Sequence, residues 1–190
     1  MKVLTSLVII GIVGISSLMA SNYKIDSSHT NVGFKVKHMM ISNVNGKFTD
    51  FRGFYSLDEK TNQFTSLTGE LKTKSLTTQN KDRDAHLKSN AFFDVQKYPK
   101  MTLKLIKQKD NIAFVELKIK DITKVIEMDI QGISKNIKDP WGNIRTAFVL
   151  EAKIDRQEFN ITFNKVLEAG GLMVSNDVKI IIEVEGIAVK

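Results

Sequence analysis

The sequence predicts an all-β protein: an eight-stranded antiparallel barrel with a short helical insert between strands 3 and 4. Three observations lead to this fold class. Apolar and polar residues alternate with a period of two along most of the chain, turn-forming residues separate the alternating segments, and only the stretch 83–99 has a helical character.

Eight segments show the alternation expected of strands that bury one face. In the fifth segment, Ala113, Val115 and Leu117 share one face, while Glu116 and Lys118 lie on the other. The eight predicted strands span residues 32–38, 48–57, 64–74, 100–108, 112–120, 124–131, 144–155 and 177–187. A one-sided antiparallel sheet of this size can close on itself, which removes its exposed edges.

Turn-forming residues lie between the predicted strands. The pair Asn45–Gly46 predicts a turn before the second strand, and the pairs Asp139–Pro140 and Gly170–Gly171 predict connections later in the chain. Because most connections are short, consecutive strands are expected to be antiparallel neighbours.

The stretch 83–99, RDAHLKSNAFFDVQKYP, interrupts the strands. Asn80 or Asp82 can cap a helix there, and the aromatic pair Phe92–Phe93 follows it. A barrel does not need such an insert to fold, so we interpret it as a plug or rim that is polar at one end and apolar at the other.

The first twenty residues have the layout of a secretory signal peptide. Lys2 precedes an apolar run over 3–13, and Ala20 fits the position before a cleavage site. We therefore expect residues 1–20 to be removed, residues 21–190 to form a single barrel domain, and the protein to be exported. The chain has no cysteine, which excludes disulfides, thiol nucleophiles and cysteine-ligated metals.

The chain carries a formal net charge of +7. Its lysines are scattered at alternate strand positions, as in Lys35 and Lys37, and form no run of five or six basic residues. This pattern is typical of a solvated outer face and does not predict nucleic-acid binding. Attraction to anionic lipid head groups, and with it transient contact with a membrane surface, stays open.

The predicted inward faces are almost wholly aliphatic or aromatic, which suits either a packed core or a cavity. Two features favour a cavity. Strands of nine to twelve residues that rise about 3.3 Å per residue predict a barrel about 30 Å long, and the small residues Gly69 and Ala113 face inward. A long apolar tube suits a chain-like ligand.

The candidate ligand-binding residues are inward-facing strand residues together with residues of the insert. Aromatic residues among them are more often core than ligand wall, and a hollow barrel allows both roles. The candidates are Phe34, Val36, His38, Phe48, Phe51, Leu67, Leu71, Arg83, Asp84, His86, Phe92, Phe93, Met101, Leu103, Leu117, Met128, Phe148 and Ile180.

Three polar residues of the insert, Arg83, Asp84 and His86, allow different interpretations. Capping, loop anchoring and ion pairing explain Arg83 and Asp84 without any further role. Contact of Arg83 or His86 with a ligand head group is a second interpretation. An acid/base pair of Asp84 and His86 is a third, although residues two apart on a helix do not share a face.

Histidine ligation of a metal is not predicted. His29 and His38 are nine residues apart on what looks like one extended segment, and His86 alone makes a poor site. We also predict no catalytic residues, because no nucleophile motif accompanies the charged residues of the insert.

Several motifs resemble the YceI-like family of periplasmic polyisoprenoid-binding proteins, over essentially the whole of the chain after residue 20. The most specific is the block from Arg83 to Pro99. The weaker motifs are Tyr23, Ile25, Asp26 and His29; Phe34, Val36 and His38; Gly46 and Phe48; Ile122, Thr123 and Lys124; and Arg156 and Phe159.

The chain departs from the family pattern at two turns. Asp121–Ile122 stands where the family commonly has a glycine, and Asn160 replaces a glycine after the final aromatic residue. Asparagine tolerates a positive φ, so the second turn is expected to survive.

The resemblance implies a lipocalin-like barrel that binds a long amphiphile: a polyprenyl quinone, a polyprenyl phosphate, or a fatty acid or amide. It implies no cofactor other than such a bound lipid, and it implies a homodimer. Our first hypothesis is therefore a periplasmic carrier that takes no part in chemistry. The alternatives are an enzyme that acts on an isoprenoid head group, and an envelope interaction module that uses the barrel only as a scaffold.

Overall fold

The computed structural model describes residues 20–58, 60–166 and 170–189. The predicted signal peptide lies outside the described residues, except for Ala20, which begins the first strand. The described strands are β1 (Ala20–Ile25), β2 (Asn31–His38), β3 (Ser42–Phe48), β4 (Phe51–Asp58), β5 (Phe64–Lys72), β6 (Leu76–Thr77), β7 (Lys100–Lys109), β8 (Ile112–Ile119), β9 (Ile122–Gln131), β10 (Ile137–Lys138), β11 (Ile144–Asp155) and β12 (Val174–Ala188).

These strands form one antiparallel sheet that closes into a barrel with eight strand positions, so the predicted fold class is confirmed. In each of the first three positions, two consecutive strands follow one another: β1 with β2, β3 with β4, and β5 with β6, the last two joined by a short 3-10 turn. The other five positions are occupied by single strands, namely β7, β8, β9, β11 and β12. The ring closes because β12 pairs with β11 on one side and with β1 and β2 on the other.

The predicted turn at Asn45–Gly46 is wrong. Both residues lie inside β3, where Gly46 pairs with Phe34 of β2. A Cβ atom at Gly46 would lie 2.2 Å from Phe34 Cζ, so glycine is required there because the ring packs against the backbone. The chain reverses instead at Met39–Met40, where both residues have positive φ.

The helical insert is confirmed between the third and fourth barrel positions. The helix α1 spans Lys81–Lys88, and the Asn80 side chain caps it by accepting a 3.0 Å hydrogen bond from the Arg83 backbone N–H. Phe92 and Phe93 follow in a turn that the Phe93 N–H ties back to the Leu87 carbonyl at 3.1 Å.

The turn that follows β11 keeps the geometry expected from the sequence. Asn160 adopts a left-handed conformation, with φ 54° and ψ 34°. The asparagine thus takes the position that the family commonly gives to glycine, and the turn survives.

Inward-facing side chains fall into two apolar clusters. The first fills the half of the barrel away from α1 and centres on Tyr55, Met128 and Phe148. The second lies beneath α1 and centres on Phe48, Leu76 and Phe159. The two halves differ in how completely they are filled, and this difference positions the candidate site.

Candidate functional site

An apolar cavity of about 190 Å³ lies beneath α1, and residues of both apolar clusters line it. A cavity of about 150 Å³ in another protein encloses the six carbons of benzene, so this one encloses about eight carbons. The volume fits part of a single hydrocarbon chain.

Aliphatic and aromatic side chains from most barrel positions and from the insert form the wall. Three charged residues, Arg52, Glu70 and Arg156, also border the cavity. The apolar wall residues are Ile25, Val32, Phe34, Val36, Phe48, Phe51, Leu67, Leu71, Leu87, Phe92, Phe93, Met101, Leu103, Leu117, Ile119, Leu150, Ile154, Ile161, Val174, Val178, Ile180, Ile182 and Val184.

The inward-facing Gly69 helps to keep the cavity open. Gly53 and Gly69 lie opposite each other on β4 and β5. The space beside Gly53 is occupied, because a Cβ there would lie 2.6 Å from Ile25 Cδ1. A Cβ at Gly69 would meet no atom within 4 Å. The missing side chain at Gly69 therefore leaves room inside the barrel.

An aromatic cluster closes the lower end of the cavity. Tyr23 stacks on Tyr55 with ring centroids 4.9 Å apart, and Phe148 contacts Tyr55 at 4.9 Å and Phe64 at 4.7 Å. Burial raises the pKa of Tyr55 to about 12, and its hydroxyl shares a 2.6 Å hydrogen bond with Thr146. Only part of the predicted 30 Å tube is hollow, since these rings fill the other part.

The upper end of the cavity lies under the insert and the segment that follows β11. His86 of α1 contacts the ring of Phe92 at 5.1 Å and that of Phe163 at 4.9 Å, both edge-on. Phe92 and Phe163 also contact each other at 4.9 Å. These three rings join two segments that are distant in sequence across the upper end of the barrel.

Arg83 and Asp84 anchor the start of α1 to Thr78. Arg83 Nε donates to the Thr78 hydroxyl at 2.8 Å, and Arg83 Nη2 donates to the Thr78 carbonyl at 3.0 Å. Asp84 Oδ1 accepts from the Thr78 backbone N–H at 2.7 Å and from its hydroxyl at 2.5 Å. Burial opposes ionisation of Asp84, but the hydrogen bonds from Thr78 outweigh it and keep the pKa of this carboxyl below its usual value.

A buried cation, Arg156, lies at the edge of the cavity wall. Its guanidinium donates to the carbonyls of Ser175 at 3.0 Å and Val174 at 3.4 Å, to the Asn176 side chain at 3.2 Å, and to the Ile161 carbonyl. Burial lowers the pKa of Arg156. The side chain ties the turn after β11 to the beginning of β12.

The predicted candidates fall into three groups in the structure. Twelve lie on the cavity wall: Phe34, Val36, Phe48, Phe51, Leu67, Leu71, Phe92, Phe93, Met101, Leu103, Leu117 and Ile180. Met128 and Phe148 point inward but lie in the packed half. His38, Arg83, Asp84 and His86 lie outside the wall, at the upper end of the barrel.

Several wall residues were missed by sequence reasoning. Ile25 belongs to β1, which was not predicted, and Leu87 belongs to a helix with no apolar periodicity. Ile119, Ile154 and Val178 had a usable signal, because they continue the inward faces of predicted strands.

A cluster of charges lies at the opposite end of the barrel. Arg145 forms ion pairs with Asp26 at 2.8 Å, with Asp139 at 2.7 Å and with Glu185. Asp26, Glu185 and His29 also have the spacing of a cation-binding group. Arg145 already supplies a cation between both carboxylates, so the cluster is explained as an ion-pair network.

Among the residues that the structure describes, no helix combines the length and apolarity needed to cross a membrane.

Comparison with known proteins gives a consistent result. A model of the YceI-like domain matches residues 23–186. A UPF0312 protein of Staphylococcus epidermidis is 36% identical over 163 residues, which cover 84% of this chain and 93% of that protein.

Solved structures share the fold. The Campylobacter jejuni YceI protein superposes with a TM-score of 0.70 at 34% identity, covering 87% of this chain and 96% of that one. A polyisoprenoid-binding domain from Saccharophagus degradans has a TM-score of 0.63 at 13% identity, covering 88% of this chain and 98% of that one. At such low identity the second likeness shows the fold alone.

Proposed function

The chain belongs to the YceI-like family, and on that premise we propose that it holds the hydrocarbon chain of an amphiphilic lipid inside its barrel, as a carrier or reservoir. The observation that carries this proposal is the cavity itself. Its wall is aliphatic and aromatic, it lies beneath the helical insert, and the rings around Tyr55 close its lower end.

The cavity offers a substantial driving force for burying a chain. Each methylene transferred from water contributes about 0.8 kcal/mol, so about eight carbons contribute about 6 kcal/mol. Lost motion of the chain and of the protein offsets part of this gain. Carbons beyond the eighth must extend through the upper end or displace wall side chains such as Phe34 and Phe93.

We propose a polyprenyl quinone, a polyprenyl phosphate, or a fatty acid or amide as the ligand class. The domain from Saccharophagus degradans, which has the same fold, is named for polyisoprenoid binding. A wall that is mainly aliphatic and aromatic suits one unbranched or methyl-branched chain, with the polar head left at the upper end.

A binding role without catalysis is favoured by the polar residues of the insert. Arg83 and Asp84 direct their hydrogen bonds to Thr78, and His86 contacts the rings of Phe92 and Phe163. An acid/base pair would need Asp84 and His86 to converge on one substrate atom. Their contacts favour anchoring of the insert instead.

The proposal includes export to the periplasm and assembly as a homodimer. Export is supported by the charged start and apolar run of residues 1–20. Cell fractionation of the full chain, with light scattering of the purified protein, tests both points. Retention of residues 1–20 in a cytoplasmic monomer would contradict them.

A titration with dansyl-undecanoic acid tests the binding role. We expect the dansyl emission to increase and shift to the blue, with saturation at one probe per barrel. Fatty acids should displace the probe, and their affinity should rise with chain length up to about eight carbons and more slowly beyond that length. No emission change at millimolar protein and probe would contradict the proposal.

A further inference from the structure

The turn between β2 and β3 exposes three large apolar side chains in a row. Met39 is 40% exposed, Met40 56% and Ile41 87%. We call Met39, Met40 and Ile41 together with Val166, which is 79% exposed, the apolar tip. The Met39 N–H donates to the Met173 carbonyl at 2.8 Å, so the turn is joined to the segment before β12.

The backbone of this turn does not favour the residues that occupy it. Met39 has φ 49° and Met40 has φ 63°, and the Ile41 N–H donates to the His38 carbonyl at 3.2 Å. Such a turn is normally built from Asn-Gly, because both central residues must adopt positive φ. A turn whose only task was to reverse the chain would not need two methionines, and an observed strain of this kind indicates a role for the side chains.

The apolar tip lies next to the cavity. Val36 and Val174 both line the cavity wall. Val174 pairs with His38, the residue that immediately precedes Met39. The exposed side chains therefore continue the apolar wall to the outside of the barrel at its upper end.

The strands below the tip carry only positive charge. The sequence between Asp26 and Asp50 contains no acidic residue but includes Lys35, Lys37 and Lys47. All three lysines are exposed, and none forms an ion pair with another described residue. The apolar tip is thus flanked by free cations on one face.

We propose that the apolar tip inserts into the surface of an anionic phospholipid bilayer, with Lys35, Lys37 and Lys47 against the head groups. Apolar side chains beside a basic face are the combination that binds such an interface. Docking would open the upper end of the cavity towards the bilayer. This purpose rests on the proposed lipid-binding function, but the docking itself does not require an occupied cavity.

Vesicle flotation tests the proposal. The purified protein is mixed with vesicles of pure phosphatidylcholine or of phosphatidylcholine with about 40% phosphatidylglycerol, whose surface carries a negative potential. We expect binding to the anionic vesicles that weakens as salt rises, and a partition coefficient at least tenfold lower for Met39→Asn/Met40→Gly/Ile41→Thr. Asn-Gly suits the turn, so this variant should fold.

A matched control replaces exposed apolar residues elsewhere on the barrel. Val125 is 60% exposed on β9 and Ile106 is 50% exposed on β7. Val125→Thr/Ile106→Thr should bind vesicles as the parent protein does. Equal losses in both variants would contradict a specific role for the apolar tip.

Two further outcomes would overturn the proposal. One is that the parent protein does not float with anionic vesicles. The other is that the tip variant floats normally but changes from dimer to monomer in light scattering, which would make a second copy of the chain the occupant. The dansyl probe separates this question from the proposed function, since the tip variant should bind the probe in solution even though it no longer docks.

Discussion

Filling the cavity from Gly69 should weaken ligand binding without harming the fold. A Cβ atom at Gly69 meets no atom within 4 Å, and the φ of Gly69 is not in the left-handed region, so we expect a leucine side chain to enter the cavity from this position. Its four carbons occupy about half of a space that encloses about eight.

The expected loss follows from the methylenes that the ligand can no longer bury. Four carbons at about 0.8 kcal/mol each amount to about 3 kcal/mol, which corresponds to a dissociation constant about 200-fold higher. The free energy of unfolding should rise by about 1–3 kcal/mol, because the new side chain is buried and the unfolded chain loses freedom.

The assay is the dansyl-undecanoic acid titration, carried out beside urea unfolding of the same samples. Thr123→Leu is the control, because it adds leucine at an exposed position on β9. Gly69→Leu could be as stable as expected and still bind the probe as tightly as the parent protein. In that case the hydrocarbon chain of the probe does not occupy this cavity, and the reasoning fails.

Three other perturbations test the structural account. Hydrogen bonds hold the pKa of Asp26 well below its usual range, and the bond from the Ser28 side chain has the largest effect. The stability that ionised Asp26 contributes is therefore present above about pH 4 and is lost as pH falls through the folded-state pKa. The urea midpoint of Asp26→Asn should fall less between pH 5 and pH 3 than that of the parent protein, and parallel curves for the two proteins would contradict this. Arg156→Met leaves buried carbonyls without donors and should lower the free energy of unfolding by about 2–4 kcal/mol, whereas a change below about 0.5 kcal/mol would remove its structural role. In Gly186→Ala the new Cβ would lie 2.2 Å from Tyr55 Oη, so thermal unfolding should occur several degrees lower, and an unchanged midpoint would mean that the ring moves freely.

The strands were predictable because their pattern is local. One-sided alternation is encoded within each segment, as in Ala113, Val115 and Leu117, and it does not depend on which strand lies next door. β1 was missed since only Tyr23 of its six residues is buried, which leaves no alternation to detect.

The Asn45–Gly46 turn shows where a local rule gives way to packing. Asn-Gly is a strong turn signal, but here the glycine accommodates the ring of Phe34 from the neighbouring strand. The Met39–Met40 turn has no such signal, because methionine, unlike glycine or asparagine, seldom adopts positive φ.

The sequence does not distinguish the inward-facing residues that line the cavity from those that pack against one another. Leu117 and Phe148 both face inward, yet one lines the cavity and the other lies in the packed cluster. The difference arises from contacts between distant strands, such as Phe148 with Tyr55 and Phe64, that no single segment encodes.

Native mass spectrometry of the gently purified protein measures barrel occupancy most directly. The account predicts a complex heavier than the polypeptide by one single-chain lipid per barrel, with the lipid released on unfolding and less of it retained by Gly69→Leu. A bare polypeptide mass that stays unchanged after incubation with fatty acids and polyprenols would contradict the account.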